Sequence, residues 1–246
     1  RENAQQLEII LDSHLQRVQT RDLRMVYNPV VEIRSDLPGR PDPATQKMNV
    51  LFANSNKDYI MSEIFNIFPT TIMKFNRPVS PSELREAGFE KIFKNKNNNI
   101  SENRNILEKD SYSFIKQFVL DSLETYNKRI FKPKNSINHI ITESWLNYIN
   151  PGQSHHAHKH PNSITSGVYY FECLDKDFIR FDREKHHYIE IEPSEYDLYN
   201  SDIWDFPVFT GDLLLFPSDL AHSVVENNTN KTRISLSFNT FLEADI

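Results

Sequence analysis

One stretch decides the fold of this chain: residues 233–239, which read RISLSFN close to the C-terminal end. Apolar and polar side chains alternate strictly here, and in a β-strand successive side chains point to opposite faces of the sheet. One face would carry Ile234, Leu236 and Phe238, and the other Arg233, Ser235, Ser237 and Asn239. The pattern predicts a strand with one face against an apolar core and the other toward a cavity that holds charged ligands.

Strand patterns dominate the chain after Asn138. Short runs rich in β-branched and aromatic residues are separated by turn signals, which is typical of an all-β sandwich or barrel. The predicted strands are residues 139–150, 166–174, 178–181, 188–191, 212–216, 223–226 and 232–241. Ahead of them, apolar spacing predicts a helix around 82–93 and another from Tyr112 to Lys128, with a polar, mobile loop at 94–105 between them. We therefore expect a mostly β jelly roll with support helices packed against its sheet.

Residues 1–60 differ from the rest of the chain. A narrow apolar stripe at helical spacing, from Leu7 to Val18, is followed by a Pro-rich stretch at 37–43 that excludes regular structure. Met61 resembles a native start of translation. The sequence predicts an N-terminal arm at 1–60, either a fusion segment or a partner-binding extension, ahead of one domain at 61–246. A helix packed on that domain is the alternative.

Composition excludes several classes of partner. The formal net charge of -6 argues against direct binding of nucleic acid or of an anionic membrane, both of which need a basic surface. No apolar run approaches the roughly 20 residues that span a bilayer. A single cysteine, Cys173, permits no intramolecular disulfide and fits a reducing cytosol. We expect a cytoplasmic protein, or a virion-associated one if the arm is a structural anchor.

Three histidines are the candidate metal ligands: His158, His160 and His222. Imidazole is the commonest protein ligand for a transition metal, and a pair spaced by one residue at a strand end can bind an ion from one side. An isolated histidine is more often a solvated or structural side chain. We keep that interpretation for His155 and His156, although His156 and His158 offer the same spacing as a rival pair.

Arg233 and Ser235 form the candidate anchor for a carboxylate. The two residues share one face of the predicted strand, and the planar guanidinium fork suits a carboxylate held by two hydrogen bonds. A metal site and a carboxylate anchor side by side fit an enzyme that uses iron together with a carboxylate-bearing co-substrate.

Seven pieces of the sequence carry a family resemblance. They are FPT (68–70), WLNY (145–148) with Gly152, HKHP (158–161), SGVYY (166–170), GDLLLFPS (211–218), His222, and RISLSFN (233–239). In this order and spacing the chain resembles the 2OG-Fe(II) oxygenases common in phages and marine bacteria, which are distant relatives of the prolyl hydroxylases. The resemblance implies a double-stranded β-helix, a cupin-like jelly roll. It also implies Fe(II) held by His158 and His222, with His160 at the position of the third ligand and 2-oxoglutarate as co-substrate.

His160 departs from the family pattern. Most iron/2-oxoglutarate enzymes have Asp or Glu at this position, and that carboxylate offsets one charge of the iron. A third neutral imidazole does not, which puts turnover in doubt more than metal binding. His160 is therefore predicted as a ligand. Two alternatives stay open: it could be a hydrogen-bond donor to one of the metal's ligands, or it could lie beside a coordination position that the protein leaves open.

The resemblance also implies roles for other residues. Arg233 and Ser235 would hold the distal carboxylate of 2-oxoglutarate, and Asn147, Tyr148 and Tyr169 would help to hold the co-substrate. The predicted activity is that of an Fe(II)- and 2-oxoglutarate-dependent dioxygenase that consumes O₂ and hydroxylates an unidentified substrate, a protein among the candidates.

Two alternatives to this activity stay open. One is a non-catalytic structural or interaction protein, such as a phage particle component, that keeps the oxygenase fold. The other is a three-histidine metalloenzyme that uses no 2-oxoglutarate. The stretch 172–209 could fold over the mouth of the barrel and select the substrate, or could simply cap it.

Overall fold

The structure, a computed structural model, describes residues 49–53, 60–184 and 191–244. The chain divides into two compact units, residues 1–69 and 70–246. In the first unit, strand β1 (Asn49–Ala53) pairs antiparallel with strand β2 (Ile60–Ile64). The predicted helix and Pro-rich stretch of the arm lie outside the described residues, as does most of the predicted strand 188–191. The arm at 1–60 therefore stays a prediction.

The second unit is built from two antiparallel sheets. Its strands are β3 (Met73–Asn76), β4 (Ile92–Asn95), β5 (Asn98–Ser101), β6 (Ile137–Ile149), β7 (His155–His158), β8 (Thr165–Glu172), β9 (Phe178–Asp182), β10 (Ile203–Pro207), β11 (Asp212–Pro217), β12 (Ala221–Val224) and β13 (Arg233–Ala244). A seven-stranded major sheet has the order β3-β11-β8-β13-β6-β5-β4, and a four-stranded minor sheet has the order β10-β9-β12-β7. Strand β13 lies in the middle of the major sheet, between β8 and β6.

The alternation in β13 gives the major sheet two different faces. Ile234, Leu236 and Phe238 are buried on the face that packs against helix α2 (Ser113–Tyr126), whose stripe includes Ile115. Full burial of a side chain of this size stabilises the fold by roughly 1.5–3 kcal/mol. On the opposite face, apolar side chains of the major and minor sheets meet in a second core: Val168, Tyr170, Ile179, Phe181, Leu214 and Phe216. The two sheets thus form a sandwich, and the polar face of β13 looks into it.

Helix α1 (Pro81–Gly88) begins at a capping box. The Ser80 hydroxyl accepts a hydrogen bond from the backbone N–H of Glu83, and the Glu83 carboxylate accepts one from the backbone N–H of Ser80. The same carboxylate accepts two hydrogen bonds from Arg77, which ties the helix start to the end of β3. The helix is shorter than the predicted 82–93, because the chain leaves the helix after Gly88 and enters β4.

The polar run 94–105 is not the loop predicted from its composition. It belongs largely to a hairpin of β4 and β5 that extends the major sheet beyond β6. Asn98 and Ser101 are buried, and the Ser101 hydroxyl accepts the backbone N–H of Leu146 while donating to the carbonyl of Asn103. Polar side chains that satisfy buried backbone groups do not follow a hydrophobic pattern, which is why composition gave the wrong answer here.

The predicted fold class is confirmed as a mostly β unit with flanking helices. Within the part of the chain that the structure describes, no helix has the length and apolar character needed to span a membrane.

Candidate active site

Strand register brings His158 and His222 face to face. His158 is the last residue of β7, and His222 lies directly opposite it in β12. Cross-strand partners of this kind hold their Cβ atoms about 4.5–5.5 Å apart, and here the ring centroids are 4.4 Å apart. The minor sheet therefore joins two residues that are far apart in the sequence.

Backbone carbonyls fix which nitrogen of these two rings carries the proton. His158 donates from Nδ1 to the carbonyl of His156 at 2.9 Å, and His222 donates from Nδ1 to the carbonyl of Leu220 at 3.0 Å. A carbonyl can only accept, so the proton of each neutral ring is on Nδ1 and Nε2 carries the lone pair. This is the arrangement that metal-binding histidines usually have.

His160 completes a group of three imidazoles. Its backbone N–H donates to the carbonyl of Ser218 at 2.9 Å, which fixes the turn after β7 to the end of β11. Its Nε2 lies 3.3 Å from Nε2 of His222, and ligand atoms of His158, His160 and His222 all lie within 4.8 Å of one another. Neighbouring nitrogen ligands at 2.0–2.1 Å from one ion would be about 3.0–3.4 Å apart. The positions of the three rings therefore fit a single ion.

Burial keeps these histidines neutral at physiological pH. Desolvation, with the neighbouring His158 adding to it, lowers the pKa of His222 to about 3 and that of His160 to about 4. The pKa of His158 is lowered as well, mainly by burial. Neutral imidazole is the form that binds a metal, so the group needs no proton release before an ion can enter.

Arg233 is buried, and one side of its guanidinium is already engaged. Its Nε donates to Oδ2 of Asp177 at 2.8 Å, with the side chains only 2% and 5% exposed. Among the described residues, neither its buried Nη2 nor the buried hydroxyl of Tyr170 has a hydrogen-bond partner, and the ring centroid of Tyr170 lies 4.9 Å from Cζ of Arg233. Burial opposes the charged form, but Tyr170 and Asp177 together raise the pKa of Arg233. A fixed positive charge and two unused polar groups thus lie close together.

One pocket connects the histidines with Arg233. It has about 380 Å³ of space between its walls, open solvent at its mouth included, and is lined by His158, His222, Tyr170 and Arg233. Of the other predicted site residues, Asn147 and Ser235 line it too, and both are buried. His155, left as a solvated or structural residue by the sequence, also lines the pocket and stacks on His158 with centroids 4.3 Å apart. His156 is exposed, so the rival pair with His158 is not formed at the pocket.

Tyr148 and Tyr169 lie on the wrong face of the sheet for the predicted co-substrate role. Tyr148 is paired with Ile234 and Tyr169 with Leu236, and cross-strand partners share a face. Their hydroxyls donate to the backbone carbonyls of Ala87 and Arg77, on the side of the support helices. Tyr170, the partner of Ser235, faces the pocket instead.

Sequence reasoning missed several residues of the site: Glu143, Trp145, Tyr170 and Asp177. Trp145 lines the pocket, and its ring lies 5.9 Å from that of His160. Residues that pair across neighbouring strands lie on the same face of a sheet. With Ser235 assigned to the pocket, knowledge of the strand pairing would therefore have placed Tyr170 and Trp145 there too. Asp177 precedes β9, and no local pattern marks it.

Comparison with known proteins agrees with this geometry. Residues 143–239, which include all the candidate ligands and Arg233, match the model of a family described as "Putative 2OG-Fe(II) oxygenase". No curated protein sequence matches the chain.

Among solved structures, the chain is similar to the non-heme alpha ketoglutarate dependent epimerase SnoN from nogalamycin biosynthesis, with a TM-score of 0.50 and 11% identity over 70% of this chain and 78% of SnoN. A Pseudomonas putida prolyl-4-hydroxylase gives 0.48 and 12% over 70% and 94% of the two chains. HygX from Streptomyces hygroscopicus, with nickel, 2-oxoglutarate and hygromycin B bound, gives 0.49 and 10% over 70% and 82%. At such identities the likeness concerns the fold alone.

The predicted resemblance is thereby confirmed: residues 143–239 match the model of the 2OG-Fe(II) oxygenases, a family whose cofactors are iron and 2-oxoglutarate, and the three histidines form a candidate site for the iron.

Proposed function

We propose that the chain is an Fe(II)- and 2-oxoglutarate-dependent dioxygenase that hydroxylates its substrate. In this proposal His158, His222 and His160 bind the iron, and Arg233 anchors the distal carboxylate of 2-oxoglutarate. The observation that carries it is the buried Nη2 of Arg233, which has no hydrogen-bond partner in the described part of the chain and lies in a pocket that His158 and His222 also line.

The carboxylate anchor is more asymmetric than the sequence predicted. Asp177 already occupies Nε of Arg233, so an incoming carboxylate would accept from Nη2 and from the hydroxyl of Tyr170. A buried donor left unsatisfied costs about 1–3 kcal/mol, and a carboxylate that pairs with both groups removes that penalty. Asn147 and Ser235 offer further polar contacts from the same face of the sheet.

The metal end of the pocket is arranged for one divalent ion. His158 and His222 carry their lone pairs on Nε2, Nε2 of His160 lies 3.3 Å from that of His222, and ligand atoms of all three lie within 4.8 Å of one another. An iron ion held there would supply activation of dioxygen, coupled to decarboxylation of 2-oxoglutarate to succinate. The chain itself would position 2-oxoglutarate between Arg233 and the histidines. The apolar side chains of Val168 and Ile179 in the pocket lining limit the access of water.

The segment beside the metal-binding turn supports a large substrate. The described part of the stretch 172–209 supplies β9 and β10 of the minor sheet, so it forms part of the barrel wall. Glu184 lies 3.4 Å from Lys159 of the turn, and Arg183 donates to the carbonyls of Leu198 and Tyr199. Leu198 is 64% exposed, and Ile191 and Tyr196 of the same segment are exposed as well. We propose that this surface contacts the substrate, and a protein substrate fits it best.

One observation favours a second candidate function. The third position of the metal site is His160, which does not offset the charge of the ion as Asp or Glu would. A protein that binds metal and 2-oxoglutarate but does not turn over would be a structural or interaction protein built on the oxygenase fold.

Succinate release separates these functions. The purified chain would be incubated with Fe(II), ascorbate, 2-oxoglutarate and O₂, with succinate measured against a reaction lacking iron. Iron-dependent succinate, even at the slow rate of a reaction without substrate, supports the oxygenase. Calorimetric binding of 2-oxoglutarate with no succinate would favour the non-catalytic role. Metal binding without any 2-oxoglutarate binding would indicate a three-histidine metalloenzyme of another kind.

A further inference from the structure

His160 differs from the other two histidines in what its Nδ1 faces. His158 and His222 each direct Nδ1 at a backbone carbonyl, whereas Nδ1 of His160 lies 3.3 Å from the side-chain amide nitrogen of Asn239. An amide N–H can only donate, so Nδ1 of His160 is the acceptor of this contact.

The orientation of that amide is fixed from both sides. Asn239 is buried, and its Nδ2 donates to a carboxylate oxygen of Glu143 at 2.9 Å while its Oδ1 accepts from the hydroxyl of Ser166 at 2.8 Å. The carboxylate of Glu143 is held in turn by Arg104 at 2.8 Å, and Ser166 lies 2.8 Å from the hydroxyl of Ser218. A carboxylate accepts only, so it keeps the amide nitrogen, and not the oxygen, on the side of Glu143.

The proton of neutral His160 is therefore on Nε2. That nitrogen lies 3.3 Å from Nε2 of His222, which carries a free lone pair because its own Nδ1 donates to Leu220. His160 thus donates to His222 and accepts from Asn239, and each contact in the chain joins a donor to an acceptor.

This arrangement and metal ligation by His160 exclude each other. To ligate through Nε2, the ring must move its proton to Nδ1, and that proton then needs an acceptor. Turning the Asn239 amide over supplies its oxygen as that acceptor, and its nitrogen can then donate to Ser166, which in turn donates to Ser218. The turned amide is unfavourable at Glu143, because the carboxylate and the amide oxygen, both acceptors, would then face each other.

We infer that the Asn239 amide, held by Glu143, controls whether His160 is available to the metal, so that ligation by His160 requires the amide to turn over. This inference rests on the proposed metal site and makes Asn239 and Glu143 positioning residues for its third ligand. It explains how one imidazole at the usual carboxylate position can be either a ligand or a donor outside the metal's own ligands.

Glu143→Gln is the variant that tests it, because glutamine is nearly isosteric. Its amide nitrogen can donate to the turned Asn239 oxygen while its own oxygen still accepts from Arg104. We expect Zn²⁺, titrated alone against a competing chelator, to bind the variant at least about tenfold more tightly than the unaltered protein, on the scale of changes in such outer partners. Glu102→Gln is the matched control, since exposed Glu102 pairs with Lys91 and loses the same charge; it should leave the affinity unchanged.

The proton positions can be read directly from ¹⁵N chemical shifts of the histidine rings in the metal-free full chain. We expect the proton of His160 on Nε2 and those of His158 and His222 on Nδ1, with His160 moving toward Nδ1 in Glu143→Gln and on addition of Zn²⁺. A proton on Nδ1 of His160 in the metal-free, unaltered protein would overturn the inference, even if Glu143→Gln failed to fold. So would unchanged Zn²⁺ affinity in a folded Glu143→Gln. A protein that binds no Zn²⁺ at all, with His160 protonated on Nε2, would instead count against the proposed metal site.

Discussion

Replacing Asp177 by Asn should destabilise the protein and at the same time tighten its hold on 2-oxoglutarate. Asp177 lies 2.8 Å from Nε of Arg233, and both side chains are almost entirely buried. Its carboxylate also accepts the backbone N–H groups of Phe178 and Leu174. Asparagine keeps the shape but removes the charge and turns one acceptor into a donor.

The magnitude follows from the burial. Removing one partner of a buried pair leaves an uncompensated charge, at a cost of about 3–5 kcal/mol. A protein of this size loses roughly 2–4 °C in melting temperature per kcal/mol, so the metal-free variant should melt about 6–20 °C lower. An incoming carboxylate then becomes the only anion for Arg233, and it no longer competes with Asp177.

Thermal melts with and without 2-oxoglutarate measure both effects. Ligand that binds only the folded state stabilises it according to its concentration and affinity, so the rise in melting temperature with 2-oxoglutarate should be larger in Asp177→Asn than in the unaltered protein. Asp175→Asn is the control, because Asp175 is exposed two positions away and loses the same charge. An Asp177→Asn protein with unaltered stability and an unaltered response to 2-oxoglutarate would refute the assigned pairing of Arg233.

Three further predictions use other parts of the structure. Arg233→Ala should weaken 2-oxoglutarate binding, followed by calorimetry on the folded fraction, by roughly 2–4 kcal/mol while metal affinity stays the same; equal affinity for 2-oxoglutarate would remove the anchor. The pKa of His222 is about 3 in the folded protein and about 6.5 in the unfolded chain, so between these pH values the unfolded state binds more protons. The unfolding free energy should therefore fall as the pH is lowered from about 6.5 toward 3, by up to about 1.4 kcal/mol per pH unit. Unfolding free energies from urea melts of chelator-treated protein should depend less steeply on pH in His222→Gln than in the unaltered protein, and the same pH dependence in both would contradict this. Gly167→Ala should lower the unfolding free energy by about 1–3 kcal/mol, because the added Cβ would stand 2.1 Å from the Phe238 ring. Gly88→Ala serves as its control, because a Cβ there meets none of the described residues within 4 Å.

The sequence predicts the structure correctly where a single strand has a clear alternation of apolar and polar side chains. The alternation in 233–239 gives the two faces of β13 correctly, and Arg233 and Ser235 face the pocket as predicted. The three candidate histidines are brought together because β7 and β12 pair in the minor sheet. The sequence pointed to these histidines together only through the order and spacing of the family motifs, since neither short strand has a pattern strong enough to predict that the two strands pair.

Other features depend on pairing register and could not be predicted from one segment. Tyr169 and Tyr170 are adjacent tyrosines in one strand, and only the pairing of β8 with β13 decides which of them faces the pocket. Asp177 reaches Arg233 from a loop. The contact between Asn239 and His160 joins two elements through side chains, and hydrogen-bond direction has no signature in the sequence. Such features were visible only in three dimensions.

A crystal structure grown without oxygen, with Mn²⁺ in place of iron and with 2-oxoglutarate, tests the central claim most directly. The account predicts one ion on Nε2 of His158, His222 and His160 at about 2.0–2.2 Å. It also predicts the distal carboxylate of 2-oxoglutarate within hydrogen-bond distance of Nη2 of Arg233 and the hydroxyl of Tyr170. A dicarboxylate bound elsewhere, or Arg233 still without a partner at Nη2 beside an occupied metal site, would contradict it.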